Sequence, residues 1–216
     1  MARLQTDTMG TTAMNLLHID SSILGGNSVS RKLSASIVAR LKAAAPDTNV
    51  SYRDLGQSPV PHLSGAYLLA AQSVEGEHEP ALKADLALGN AVLREFLVAD
   101  TVVIGVAFYN FSIPSQLKAW IDRILVAGQT FRYGANGPEG LAGGKRVILA
   151  IARGGFYGPG APTEAFEHAE TYLRAALGFI GITDPEVVIA EGVAVGPEQR
   201  QAAITGAEQR IAALAA

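Results

Sequence analysis

The chain has 216 residues, with 17 lysines and arginines against 20 aspartates and glutamates, a formal charge of −3, and no cysteine. At 49% hydrophobic and 17% charged it carries enough apolar material for a buried core and lies far from the composition of a disordered chain. The slightly acidic balance lacks the basic footprint that nucleic acid or an anionic membrane attracts, and zero cysteines remove disulfides, thiolate nucleophiles and Cys-ligated zinc or iron–sulfur clusters.

Residues 1–13 (MARLQTDTMGTTA) are polar and lack the continuous apolar core of a signal peptide. They are expected to form a flexible leader before a single domain over 14–216, with Met14 as the functional start and the cytoplasm as the location. The apolar runs, such as 101–107 and 147–152, fall far short of the roughly 20 residues that span a bilayer. Residues 15–19 (NLLHI) end in Asp20-Ser21-Ser22 and then Gly25-Gly26, the pattern of a buried strand meeting a loop. Over 30–44, Leu33, Ile37, Val38 and Leu41 recur at helical spacing, with Ser28 or Ser30 available as N-cap. Residues 49–54 alternate Val50, Tyr52 and Asp54 against Ser51 and Arg53, as a half-exposed edge strand does, and Pro59 and Pro61 make 57–65 a loop.

Leu82, Leu86, Leu93 and Leu97 predict a helix over 80–99, and the β-branched run 101–107 (TVVIGVA) predicts a strand buried on both faces. After the loop 108–112, Pro114 suits a first helical turn, Leu117, Trp120, Ile121, Ile124 and Leu125 form an apolar stripe, and Gly128 closes the helix. A strand over 145–152, a helix over 164–177, a strand over 185–190 and a helix over 197–213 complete the chain. Five strands alternating with helices predict a doubly wound α/β domain, a parallel sheet with helices on both faces. Ligands of such sheets bind outside the carboxyl ends of the strands, so the loops 20–30, 108–112 and 153–162 are where function is sought.

The first of these loops offers the hydroxyls of Ser21, Ser22, Ser28 and Ser30 beside a helix N-terminus, a setting for a monophosphate, although plain N-capping accounts for the serines equally well. Neither GxxxxGK[ST] nor GxGxxG is present, so triphosphate and dinucleotide signatures are absent. Phe108, Tyr109, Asn110 and Phe111 suit a flat ligand with a polar edge, though core packing is the simpler reading of Phe108 alone. Arg153-Gly154-Gly155 lets backbone approach a ligand closely, and 154–162 reads as a lid or simply as a long connection. His18 and Asp20 share a strand face, but two ligands without a third are not a metal site; His62, His78 and His168 are scattered.

The segments HIDSSILGGNSVS (18–30), VAFYNFSIPSQLKAWID (106–122), TFRY (130–133), GPEGL (137–141), RGG (153–155) and LGFIGI (177–182) resemble the FMN-dependent NADH:quinone oxidoreductase and azoreductase family, over essentially Met14 to the C-terminus. The resemblance implies a flavodoxin-like fold of strand order 2-1-3-4-5 and a homodimer with one FMN per subunit near the interface. It implies that the FMN phosphate lies on Ser22, Ser28, Val29 and Ser30, the isoalloxazine edge on Phe108, Tyr109, Asn110 and Phe111, and its pyrimidine side on Arg153, Gly154 and Gly155. Phe131 would wall the substrate pocket. Two positions depart from the family pattern: Ala152, where relatives often carry Ser or Thr, and Phe108, where Met or Trp is common. The implied chemistry is ping-pong: NADH or NADPH passes hydride to flavin N5 and leaves, and a quinone or azo acceptor takes its place. No acid–base side chain is assigned, and nothing identifies an arginine that would read the 2′-phosphate of NADPH. A flavodoxin-like electron carrier without its own substrate pocket is the competing reading, although such carriers are usually shorter and strongly acidic; a hydrolase using only the serine loop would leave the 108–111 aromatics unexplained.

Overall fold

A computed structural model describes residues 13–72 and 77–215. In chain order it contains β1 (Asn15–Asp20), α1 (Val29–Ala44), β2 (Asn49–Asp54), α2 (Gly65–Gln72), α3 (Pro80–Val98), β3 (Thr101–Ala107), α4 (Ser115–Ile124), β4 (Phe131–Gly134), β5 (Gly137–Gly140), β6 (Arg146–Arg153), α5 (Glu170–Phe179), β7 (Glu186–Glu191) and α6 (Pro197–Ala213). The leader expected over 1–13 lies, apart from Ala13, outside the described residues. Five strands pair in parallel in the order β2-β1-β3-β6-β7. Numbered along the chain this is not the expected 2-1-3-4-5, because an unforeseen antiparallel hairpin, β4–β5, intervenes before the last two sheet strands.

The period of two along each strand decides which residues meet which helix layer. Leu17, Ile19, Val102, Ile104 and Val106 face α3, α4 and α5, in the layer that holds Phe96, Trp120 and Leu173. Leu16 and Val103 face the opposite layer, with Leu33 and Ile37 of α1 and Ile204 and Ile211 of α6. Trp120 is fully buried and meets Phe96 edge-on at 6.0 Å between ring centroids. Truncating such a buried ring to alanine costs about 3–5 kcal/mol in protein cores. The same alternation turns His18 and Asp20 toward α1. Asp20 lies opposite Gly105 on β3, where an added Cβ would come within 2.4 Å of its Oδ1, so the carboxyl occupies the space the glycine leaves.

Local chemistry sets the element ends. Ser28, extended at φ −79° and ψ 127°, accepts the Arg31 amide and starts α1, as one of the two expected caps. Pro80 occupies the first turn of α3. α4 ends at Ile124, earlier than the expected close at Gly128, because the Thr130 hydroxyl donates to the Ile124 carbonyl at 2.6 Å and accepts the Val126 amide at 3.0 Å. The helix expected over 164–177 is a single 3-10 turn, Glu164–Phe166, followed by α5, because the Glu167 carboxylate accepts the amides of Ala169, Glu170 and Thr171 and fixes the start there. α2 was not expected: Tyr67 and Ala70 are buried while Leu68 and Leu69 are exposed, which leaves no clean apolar stripe. Among the described residues no helix is long and apolar enough to cross a membrane.

Candidate functional site

β1, β3 and β6 are parallel neighbours, so the loops that follow them emerge side by side at one edge of the sheet. In the first loop Ser21, Ser22, Ser28 and Ser30 are all buried. Ser21 donates to the Gly105 carbonyl at 2.7 Å, which ties the loop to β3. Ser28 and Ser30 Oγ lie 3.1 Å apart. The amides of Val29 and Ser30, in the first turn of α1, have no hydrogen-bond partner among the described residues. Two hydroxyls, two free amides and the positive end of a 16-residue helix form a donor set suited to an anion with several oxygens.

Ser22 Oγ also lies 3.0 Å from the Tyr109 hydroxyl, joining the first loop to the second. There Tyr109 and Ser112 exchange both backbone hydrogen bonds at 3.0 Å, closing a two-residue turn whose central residues, Asn110 and Phe111, stand at φ 46° and φ 74°. Both positive values are the signature of a type I′ turn, which asparagine tolerates and phenylalanine adopts only at some cost. The turn presents the Asn110 side chain and the Asn110 and Phe111 amides outward, and none of them has a partner among the described residues. Phe108 packs on Tyr157 at 4.5 Å and Phe111 on Phe166 at 5.2 Å, so residues of the 153–168 segment support the turn from behind.

In the third loop the carbonyls of Arg153, Gly154 and Gly155 accept the amides of Val193, Ala194 and Gly192. The Gly154 and Gly155 amides are left without partners among the described residues and are available to a ligand edge. The Arg153 side chain is not: it is 2% exposed, with Nη2 at 3.2 Å from Glu167 and 3.0 Å from Glu170, and Nη1 at 2.8 Å from Glu191. Any ligand contact at position 153 is therefore a backbone contact. Glu191 also accepts the Tyr157 amide at 2.9 Å, so one carboxylate holds both the arginine and the ring-bearing segment. Burial pushes the Glu167 carboxyl up, but hydrogen bonds from Glu170 and Thr171 and the charge of Arg153 outweigh it and hold the group below the usual carboxylate range.

Phe131 stands apart from the other expected site residues. Between it and the 108–112 turn the chain runs through all of α4, 10 residues and about 15 Å long at 1.5 Å per residue. It packs on Phe179 at 4.7 Å and lines a different cavity, of about 680 Å³, with Tyr67, Leu93, Arg123 and Leu125. Two partners of the serine loop escaped the sequence reading. Arg31 and Asp54 are 23 residues apart, and their pairing is a consequence of β2 lying beside β1, with no local pattern to announce it.

A protein family described as having a flavodoxin-like fold matches residues 14–215. The chain is 65% identical over 202 residues to the FMN-dependent NADH:quinone oxidoreductase of Xanthomonas campestris pv. campestris, covering 93% of this chain and 99% of that protein. It is 62% identical over 203 residues to the enzyme of the same name from Methylorubrum populi, covering 94% and 100%. Its fold is similar to the crystal structure of an FMN-dependent NADH-azoreductase from Bacillus anthracis str. Ames Ancestor in complex with FMN, at a TM-score of 0.81 and 29% identity, covering 94% of this chain and 100% of that one.

Proposed function

The chain belongs to the flavodoxin-like family of FMN-dependent NADH:quinone oxidoreductases, and from that premise we propose how its own residues serve the reaction. It is an FMN-dependent oxidoreductase that passes electrons from NADH to quinones, with azo compounds as further acceptors. The observation that carries the placement of the cofactor is the set of uncommitted donors along one sheet edge. The Val29 and Ser30 amides lie at one end, and the Asn110 side chain and the Gly154 and Gly155 amides at the other.

The phosphate of FMN fits the mouth formed by Ser22, Ser28, Val29 and Ser30, where hydroxyls and amides donate and the helix end favours negative charge. The ring fits against Phe108, Tyr109, Asn110 and Phe111, with its pyrimidine edge on the backbone of Arg153, Gly154 and Gly155. Bound there, FMN supplies two-electron transfer between NADH and the acceptor. The chain would orient the ring, direct the Gly154 and Gly155 amides at the edge where negative charge would collect on reduction, and shield one side with Phe111 and Phe166. NADH, or NADPH, and the acceptor take turns in one pocket, the ping-pong order. Phe131, remote from the ring site of its own chain, walls the pocket of a second copy, so the working unit is a homodimer. The expected place of work is the cytoplasm, where NADH is available.

Purified protein is expected to be yellow, to bleach on anaerobic addition of NADH, and to regain colour on addition of a quinone. A colourless protein that takes up no FMN would overturn the assignment, and one that bleaches only with a partner reductase would make it an electron carrier. Light scattering in solution checks the dimer.

A further inference from the structure

Arg31, in the first turn of α1, does not point its guanidinium at the mouth. Its Nε and Nη2 donate to the Ser22 carbonyl at 3.1 and 2.7 Å, and its Nη1 and Nη2 donate to Asp54 Oδ2 and Oδ1 at 2.6 and 2.5 Å. Asp54, at the end of β2, also accepts the amides of Gly56 and Gln57 at 3.0 and 3.1 Å. One side chain thus fastens together the start of α1, the loop after β1 and the loop after β2. Gly56 makes room for it: a Cβ there would come within 2.5 Å of the Ser22 carbonyl oxygen and 2.8 Å of Arg31 Nη2.

The strap has a direction. The sheet order sets β2 on one side of β1 and β3 on the other. Arg31 and Asp54 hold the Ser22 carbonyl toward β2, while Ser22 Oγ reaches Tyr109 on the β3 side. In a trans peptide the carbonyl and the following N–H point opposite ways, so fixing that carbonyl turns the Ile23 amide away from β2, to the side on which Ser22 Oγ lies. The Ile23 amide has no partner among the described residues. The strap also balances charge. Asp20, 3% exposed, accepts Ser34 Oγ at 2.7 Å and the Tyr52 hydroxyl at 3.0 Å, and lies 3.8 Å from Arg31. Arg31 is the cation paired with both Asp20 and Asp54, and His18 Nε2 also lies 3.6 Å from Asp20; removing Arg31 would strip the shared charge from both carboxylates near the mouth.

We propose that Arg31, seated by Gly56 and Asp54, is a positioning residue of the phosphate mouth and makes the site selective for FMN over riboflavin. The inference rests on the FMN reading above and deepens it. Arg31 acts through the Ser22–Ile23 peptide and through the balance with Asp20, without touching the phosphate itself.

The test titrates flavin-free protein with FMN and with riboflavin, following the quenching of flavin fluorescence, in wild type, Arg31→Met, Arg31→Lys and Gly56→Ala. Wild type is expected to prefer FMN. Arg31→Met is expected to weaken FMN about tenfold, the scale of a charge-assisted hydrogen-bond network, and to leave riboflavin nearly unchanged. Arg31→Lys keeps the charge but not the fork, so it recovers part of the preference. Gly56→Ala changes no charge, and its loss of FMN preference would tie the effect to the position of the Ser22 carbonyl. Equal weakening of both flavins by all three variants, or an unchanged preference, overturns the proposal. If Arg31→Met does not fold, as judged by circular dichroism, Arg31→Lys and Gly56→Ala decide. A wild type that binds neither flavin overturns the FMN reading itself, a different result from one that binds FMN and ignores the substitutions.

Discussion

The two ends of the site are built on opposite plans. The serine end is buried and tied: Ser21, Ser22 and Ser30 are at 0% exposure, and the loop is held by Gly105, Tyr109 and Arg31. The ring end is open. Phe111 and Phe166 are about half exposed, and the turn that carries Asn110 is shaped by two left-handed residues and by aromatic contacts. A buried, fully braced donor set suits a group that enters once and stays. An exposed aromatic platform suits a face where two different molecules must take turns. On the proposed placement, retention of cofactor falls to the first end and exchange of substrates to the second, a division that can be tested variant by variant.

The largest effect is expected where the open end is anchored. Arg153→Met would leave Glu167, Glu170 and Glu191 facing one another in partial burial, with Arg174 beside Glu170 the one remaining cation paired to them among the described residues. Breaking a buried ion cluster by removing its cation costs about 3–5 kcal/mol. Urea unfolding of the flavin-free protein should show a lower midpoint at unchanged slope, and a loss below about 1 kcal/mol would mean that the ring end is not anchored there. Next comes Ser30→Ala at the tied end. Removing one donor to a charged group should weaken FMN by about 1.5–3 kcal/mol and leave riboflavin alone. Asn110→Ala supplies the contrast: it removes a neutral amide from the ring platform and should weaken FMN and riboflavin alike, by about 1 kcal/mol. If Ser30→Ala affected both flavins, or Asn110→Ala only the phosphorylated one, the two ends would have been assigned the wrong way round.

The same division marks what the sequence could and could not say. The serine loop and the Phe108–Phe111 loop could be singled out from the sequence as candidates because their chemistry is local: a strand ending in Asp20-Ser21-Ser22, a cap at Ser28, an aromatic run after TVVIGVA. The supports behind them could not. Arg153 entered as a flavin contact through the resemblance of the RGG segment, and its side chain turns to Glu167, Glu170 and Glu191, whose convergence requires α5 and β7 to be in place. The β4–β5 hairpin was missed because its strands have four residues each and are mostly exposed, so neither shows an apolar alternation. What holds it is tertiary: a Cβ on Gly140 would fall 2.1 Å from the Gly181 amide nitrogen, a backbone-to-backbone approach that no single-strand pattern encodes.

The smallest expected effect separates the ends by pH. Asp54 at the serine end is held below the usual carboxylate range, first by its hydrogen bond from Arg31, and Glu167 at the ring end lies below that range as well. A carboxyl whose folded pKa is depressed contributes stability above its unfolded value and loses it as pH falls through the folded one, so acidification should loosen both ends together. Alkali should not. Burial, and then the charge of Asp20 and the hydrogen bond to it, push the Tyr52 phenol from 10.0 up to about 12. Its contribution is complete below the unfolded value and disappears as pH rises through that interval, at the serine end alone. Tyr52 is 55% exposed, so solvent screening keeps the effect below about 1 kcal/mol. Urea unfolding across a pH series should show that Tyr52→Phe flattens the alkaline decline and leaves the acid limb unchanged. An alkaline decline of the same slope in that variant would separate Tyr52 from the brace around Asp20 and remove the pH asymmetry between the two ends.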